Sequence, residues 1–462
     1  MNLFTKILLG VMSLFCIHVA LSEEKTQPIK PNVVIFFTDD QGTLDVNCYG
    51  SKDLYTPHMD ALAKNGVRFT QAYAHQVCCP ARAMLLTGRH PQRSNVNHWT
   101  QGDAKAKKTR NMNLEEVTLA EALKGAGYKT ALFGKWHLGA HLDYGPTKQG
   151  FDEFFGIRGG FIDNYNHFFL HGNGFHDLYE GTKEIFDRDK YFPNLMTDRA
   201  LDYIERNKDN PFFMYVAFNI PHYPEQADPK FDARYKDMEM PRQSYAKMIS
   251  TTDDKMGQII MKLEEHGIKE NTIILFMSDN GHSRERNHIK VKNHLSGLAQ
   301  GTTYGALGGG GNTGKWRGQK ASFLEGGIRV PAIISYPGTI PQGAVRDQAI
   351  TAMDWMPTIL DLCGVDQPEV KLDGKSLINL IHDDSLKSPH KVLYWQWAQA
   401  WAVRKENWKL MGRGKKITFL GNLDDQQPEK VNYLNDKPEI VKDLHKLYLD
   451  WAHEVKAPVG RK

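Results

Sequence analysis

Two acidic strand ends carry the first hint of chemistry. Asp39-Asp40 follows directly on NVVIFFT (Asn32–Thr38), a run of β-branched and aromatic residues. Ser278-Asp279-Asn280-Gly281-His282 ends a second such run, NTIILFM. Adjacent carboxylates at the end of a buried strand repel each other unless a cation lies between them. Three carboxylates and an amide oxygen are the donors that a hard cation, Ca²⁺ or alternatively Mg²⁺, accepts. One acidic turn alone is more simply a solvated loop; its repetition at a second strand end favours a metal. Asp253-Asp254 sits in a helical pattern, where neighbouring side chains diverge, and is given no metal role.

Cys78-Cys79-Pro80-Ala81-Arg82 is the second feature. Pro80 suits the first turn of a helix continued by Ala81–Leu86. Cys78 is then expected just before a helix N-terminus, where negative species are favoured, with Arg82 one turn on. On residue type alone, both cysteines read as a disulfide or as buried thiols. Cations and imidazoles follow other strand-like runs or border Gly-rich loops. These are Lys135 and His137 in GKWHLG, His222 in PHYP, and Lys320 in RGQK ahead of EGGIRVP. Singly, a histidine is usually a satisfied polar group. Gathered around a cation, these residues suit a tetrahedral anion, with lysines neutralising its oxygens and a histidine handling a proton. Gly309–Lys315 imitates P-loop spacing, but Trp316 stands where Ser or Thr is required, so no nucleotide site is assigned.

The elements that must position these residues follow from the alternation of short apolar runs with amphipathic stretches. Thr130–Phe133, Phe212–Phe218, Thr272–Met277 and, more weakly, Val330–Ser335 resemble Asn32–Thr38. Thr118 and Glu121 fit a capping box, and about Tyr245–His266 places Met248, Met256, Ile259, Ile260 and Leu263 on one helical face. The pattern predicts an α/β fold with a large, mostly parallel sheet flanked by helices. Such sheets carry ligands beyond the carboxyl ends of their strands. After Cys363 the texture changes to short aromatic runs, Val392–Trp397, Trp401–Arg404 and Trp408–Met411, then a charged helical tail, Pro438–Val455. A small C-terminal α+β subdomain with an antiparallel sheet is expected there. The division is 1–22 signal peptide, 23–375 catalytic domain and 376–462 subdomain.

Composition excludes several classes. The chain has 462 residues, 41% hydrophobic and 24% charged, with a formal net charge of +4. These values fit a folded domain rather than a disordered or fibrous chain, and near-balanced charge gives no nucleic-acid signature. Ile7 to Ala20 is an apolar run behind Lys6, followed by Ala20-Leu21-Ser22. It reads as an export signal cleaved near Ser22, too short for a membrane span. The mature protein is expected to be periplasmic or secreted, with no stable span.

CCPARAMLLTGR resembles the signature of the formylglycine-dependent sulfatases of the alkaline phosphatase superfamily, C-x-P-x-R followed by T-G-R. FFTDDQG, GKWHLG, PHYP, FMSDNGH and GKWRGQKASFLEGGIRVP occur in the family's order, so the resemblance spans most of the chain from Asn32. Ala81 replaces the commoner Ser. The resemblance implies that a maturation enzyme oxidises Cys78 to formylglycine, whose hydrate is the nucleophile. It implies that Asp39, Asp40, Asp279, Asn280 and the modified Cys78 bind Ca²⁺. Arg82 would hold the hydrate; Lys135, Lys320 and His222 would contact the sulfate; His137 would assist its release. The implied substrate is a sulfated carbohydrate. Two alternatives are a phosphodiesterase or phosphonate hydrolase of the same superfamily, and a non-catalytic secreted glycan-binding protein.

Overall fold

In the computed structural model, residues 30–106, 109–305 and 307–456 are described; the expected export signal lies outside them. Among these residues, no helix is long and apolar enough to cross a membrane.

The strand Asn32–Thr38 is buried along its whole length. Its side chains alternate between two apolar layers. Val33, Ile35 and Phe37 join one core, with the helices Cys78–Thr87, Leu119–Gly125 and Trp355–Leu362. Val34 and Phe36 join the other, with Pro57–Lys64, Phe192–Asn207 and Arg242–Glu265. A near-continuous apolar run, here Val33–Phe37, is what a strand covered on both faces requires.

Asn32–Thr38 pairs in parallel with Thr272–Ser278 on one side and Phe212–Ala217 on the other. Lys129–Lys135 and Glu153–Ile157 extend the parallel sheet. On the far side Arg329–Ser335 runs antiparallel to Thr272–Ser278, followed by Val67–Tyr73, in a sheet of eleven strands. The direction of Arg329–Ser335 has a simple cause. A parallel neighbour needs a crossover helix. The chain between Ser278 and Glu325 forms irregular loop instead, and re-enters the sheet from the end at which it left. The capping box at Thr118 is present in full, as is the long helix from Arg242. Cys78 differs from expectation: it is the first residue of its helix, with Val77 as the cap.

The C-terminal sheet has four antiparallel strands, Val392–Trp397, Ala400–Lys405, Trp408–Arg413 and Lys416–Asn422. The fourth was not legible from the aromatic pattern, because Lys416–Asn422 is half solvated and carries no run of aromatics. The helix Pro438–Lys456 covers one face through Leu444, Tyr448 and Trp451. The other face meets the large sheet through Trp395 and Leu393 against Tyr73, Phe323 and Ile328.

Candidate active site

The site lies at the carboxyl ends of the central parallel strands. Thr38 and Ser278 are register partners, so the residues after them emerge side by side. The Asp279 N–H donates to the Thr38 carbonyl at 3.1 Å. Asp40 then turns into the left-handed region, with φ 64°. Both its backbone groups are tied: its N–H donates to Asp279 Oδ1 at 3.1 Å, and its carbonyl accepts from the Tyr245 hydroxyl at 3.0 Å. That bend brings both adjacent carboxylates to one centre.

The carboxylates are each met by a buried cation. Lys135 Nζ lies 2.5 Å from Asp39 Oδ2, Arg82 Nη2 2.8 Å from Asp279 Oδ2, and Lys320 Nζ 2.9 Å from Asp40 Oδ2. The second oxygens of Asp39 and Asp40 meet other members of the group. Cys78 Sγ is 3.2 Å from Asp39 Oδ1, and Asn280 Nδ2 donates to Asp40 Oδ1 at 2.7 Å. Asp39, Asp40, Cys78 and His222 converge tightly enough to share one ion, each offering an atom within 4.8 Å of the others. Asp279 and Asn280 close the group. Every sequence-predicted site residue is thus at, or beside, this centre, and all are buried.

Electrostatics show what the cluster fits. Burial pushes Asp40 up to about 7; Lys320 opposes this, and Asp39 and Asp279 add to it. Asp279 is pushed up to about 6 by burial and then by Asp39, against Arg82. Burial would also raise Asp39, but Lys135, Arg82 and Lys320 outweigh it and hold the carboxyl far below its ordinary range. Asn280 Oδ1 is buried without a hydrogen-bond partner. Mutually repelling carboxylates and an orphaned amide oxygen fit a hard divalent cation. The thiol itself fits poorly: burial, Asp279 and Asp39 push Cys78 well above its usual range, which disfavours the reactive thiolate.

The residue-level geometry has counterparts elsewhere. The sulfatase family model matches residues 31–365, and a model for the C-terminal part of N-sulphoglucosamine sulphohydrolase matches 314–453. The chain belongs to the sulfatase family, a family of sulfuric ester hydrolases. Arylsulfatase J of Mus musculus is 30% identical over 83% of this chain, which spans 64% of that longer protein. N-acetylgalactosamine-6-sulfatase of Sus scrofa is 31% identical over 81% of the chain and 73% of its own length. Among solved structures, Ps i-CgsB in complex with k-i-k-neocarrahexaose has a TM-score of 0.78 and 28% identity, covering 93% of this chain and 94% of its own.

In this sulfatase a pocket of about 250 Å³ opens over Cys78, lined by His137, His222, Lys320, Trp99, Phe161 and Glu285, among others. His222 Nδ1 is 2.7 Å from the Tyr223 carbonyl, so that nitrogen must carry the hydrogen. Its Nε2 is therefore bare and faces Asp40 Oδ2 at 3.7 Å. Burial and then Lys320 lower its pKa to about 3, keeping the ring neutral. Sequence reasoning marks the loop His282–Gly311 as a candidate specificity segment without singling out Glu285, whose Oε2 lies 3.2 Å from Lys320 Nζ. Burial would raise its pKa, but the Lys320 ammonium outweighs this and brings it to about 2. The segment His98–Met112 is marked in the same way, without Trp99 being singled out as a wall residue. Both lie on loops, where periodicity carries no signal.

Proposed function

We propose that this sulfatase is an exported enzyme that hydrolyses a sulfate ester of a carbohydrate, using a formylglycine made from Cys78 and a bound Ca²⁺. The observation that carries the reading is the convergence of Asp39, Asp40, Asp279 and Asn280 on Cys78 at the floor of a small pocket. A hydrated formylglycine supplies an oxygen nucleophile that a thiol among oxygen ligands does not, and the cation supplies charge neutralisation for the sulfate oxygens.

The chain's own residues do the rest. Asp39, Asp40, Asp279 and Asn280 would hold the cation, and Arg82 anchors the cluster through Asp279. Three carboxylates are already offset by Arg82, Lys135 and Lys320, so a divalent ion leaves the site positive and ready for an anion. Lys135 and Lys320 bind the sulfate oxygens. Lys320 also donates a proton to the departing alcohol oxygen, because it is charged whereas His222 presents a bare Nε2. His222 contacts a sulfate oxygen only when Nε2 carries a proton, because sulfate has no hydrogen to give to the bare nitrogen. His137 accepts a proton as sulfate leaves; neither of its ring nitrogens is committed to a protein partner.

The pocket volume is below the ~300–1,000 Å³ of sites for drug-sized ligands, which suits one sugar ring. Glu285 Oε1 and the neutral histidines offer hydrogen bonds to ring hydroxyls. Ps i-CgsB, which was solved with a carrageenan oligosaccharide, supports the carbohydrate assignment. The domain division near residue 375 and secretion through the first 22 residues belong to the same proposal. The test combines mass spectrometry of the Cys78 peptide with sulfate release from aryl sulfate and sulfated oligosaccharides. Cys78→Ala is expected to lose at least about a thousandfold in rate. Full release by that variant, or a preference for matched aryl phosphates, would end the reading.

A further inference from the structure

His137 is held in place unusually for a proton-transfer histidine. Such rings are commonly oriented by a hydrogen bond at the second nitrogen. Here Nδ1 and Nε2 are both buried and neither has a hydrogen-bond partner among the described residues. The ring instead lies parallel to the indole of Trp99, with centroids 6.0 Å apart and 13° between planes. Gly160 lies on another side, where an added Cβ would meet the ring at 3.1 Å. The His137 backbone sits in the left-handed region, φ 55°, fixed by its N–H donating to the Arg158 carbonyl at 3.2 Å and by the Thr100 hydroxyl donating to its carbonyl at 2.6 Å.

Trp99 and Thr100 are adjacent, so one short loop fixes both the backbone and the ring. That loop is braced by the C-terminal sheet. Trp397 meets Trp99 edge-on, with centroids 5.2 Å apart and 79° between planes. The Ala398 N–H donates to Asn97 Oδ1 at 3.2 Å. Trp397 also packs against His75, with ring centroids 6.2 Å apart.

We propose that Trp99 is a positioning residue for His137 and that Trp397, from the C-terminal sheet, is its buttress. The inference rests on the sulfatase reading and on His137 as proton acceptor. Stacking fixes the plane of the ring and leaves both nitrogens to the reacting groups. An aromatic contact of this kind favours one ring orientation over the others. The consequence is that the last third of the chain shapes the chemistry as well as the pocket rim.

The experiment measures kcat and KM for a small aryl sulfate, a substrate with no further sugar residues to contact the rim. Wild type, Trp99→Ala, Trp99→Phe and Trp397→Ala are compared, each checked for native melting and for Cys78 modification by mass spectrometry. Trp99→Ala is expected to lower kcat about 10–100-fold with KM changed less than about threefold. Trp99→Phe should recover most of that loss, and Trp397→Ala should lower kcat about 3–10-fold. A Trp99→Ala enzyme with wild-type kcat, or one in which only KM rises, overturns the proposal. Unchanged kcat in Trp397→Ala removes the buttress. A wild type that releases no sulfate fails the functional reading instead.

Discussion

Asp39-Asp40 and Asp253-Asp254 are the same dipeptide put to opposite uses. At the end of Asn32–Thr38, the left-handed turn at Asp40 lets both side chains reach one centre shared with Asp279. Inside the helix Arg242–Glu265, successive side chains point about 100° apart. Asp253 turns inward and accepts the backbone N–H groups of His58 and Met59, at the start of the helix Pro57–Lys64. Asp254 turns outward to Lys230, 2.5 Å away, and Gln258. Adjacency in sequence therefore says little about shared chemistry. The backbone beneath the pair decides whether two carboxylates meet.

The largest expected effect tests that contrast directly. Asp39→Ala should lower kcat/KM for sulfate release by at least about a thousandfold, as loss of a central electrostatic group does, and should abolish the heat of calcium binding in titration calorimetry. Asp253→Ala should leave kcat/KM per folded molecule within about threefold. Calcium binding retained by Asp39→Ala would show that the strand-end pair is not the metal site.

A second expected effect is thermodynamic. If the strand-end carboxylates bind the cation, calcium at a hundred times its Kd should stabilise the chelated protein by about 2.7 kcal/mol. Denaturant unfolding with and without calcium measures it. The gain should persist in Asp253→Asn and vanish in Asp39→Ala. An equal gain in all three would place the calcium elsewhere.

These contrasts also show what could be read in advance. The sheet core was legible because Asn32–Thr38 and Thr272–Ser278 are apolar at nearly every position, and a strand covered on both faces has no other composition. Asp39, Asp40, Asp279 and Asn280 were legible because they follow such runs, and parallel strands deliver their ends to one edge; Cys78 and Lys320, which lie on a helix start and in a loop, were legible through the motifs around them. Glu285 and Trp99 were not, because long-range packing of irregular loops places them. The reversed direction of Arg329–Ser335 was hidden for a related reason: it follows from the path of a long connection, and nothing within the strand records it. The pairing of Trp397 with Trp99 joins residues almost three hundred positions apart, beyond the reach of any periodic pattern.

The smallest expected effect sets the burial of Asp253 against the helix end it caps. Burial pushes this carboxyl up to about 7, while the Met59 and His58 N–H groups oppose the rise. The folded state thus holds the proton more tightly than the unfolded chain does. Its contribution to stability is complete below an unfolded pKa near 3.8 and is lost as the pH rises through about 7. Asp253→Asn keeps an oxygen for both N–H groups, since Oδ1 accepts from each, and removes the titration. The variant should match wild type near pH 4 and exceed it by about 1–2 kcal/mol at pH 8, read from urea unfolding across that range. A loss of stability at pH 8 would mean that the helix N-terminus stabilises the ionised carboxylate by more than burial costs it. The inner member of the helical pair would then be a charge held by backbone dipoles, closer in kind to its counterpart at the strand end.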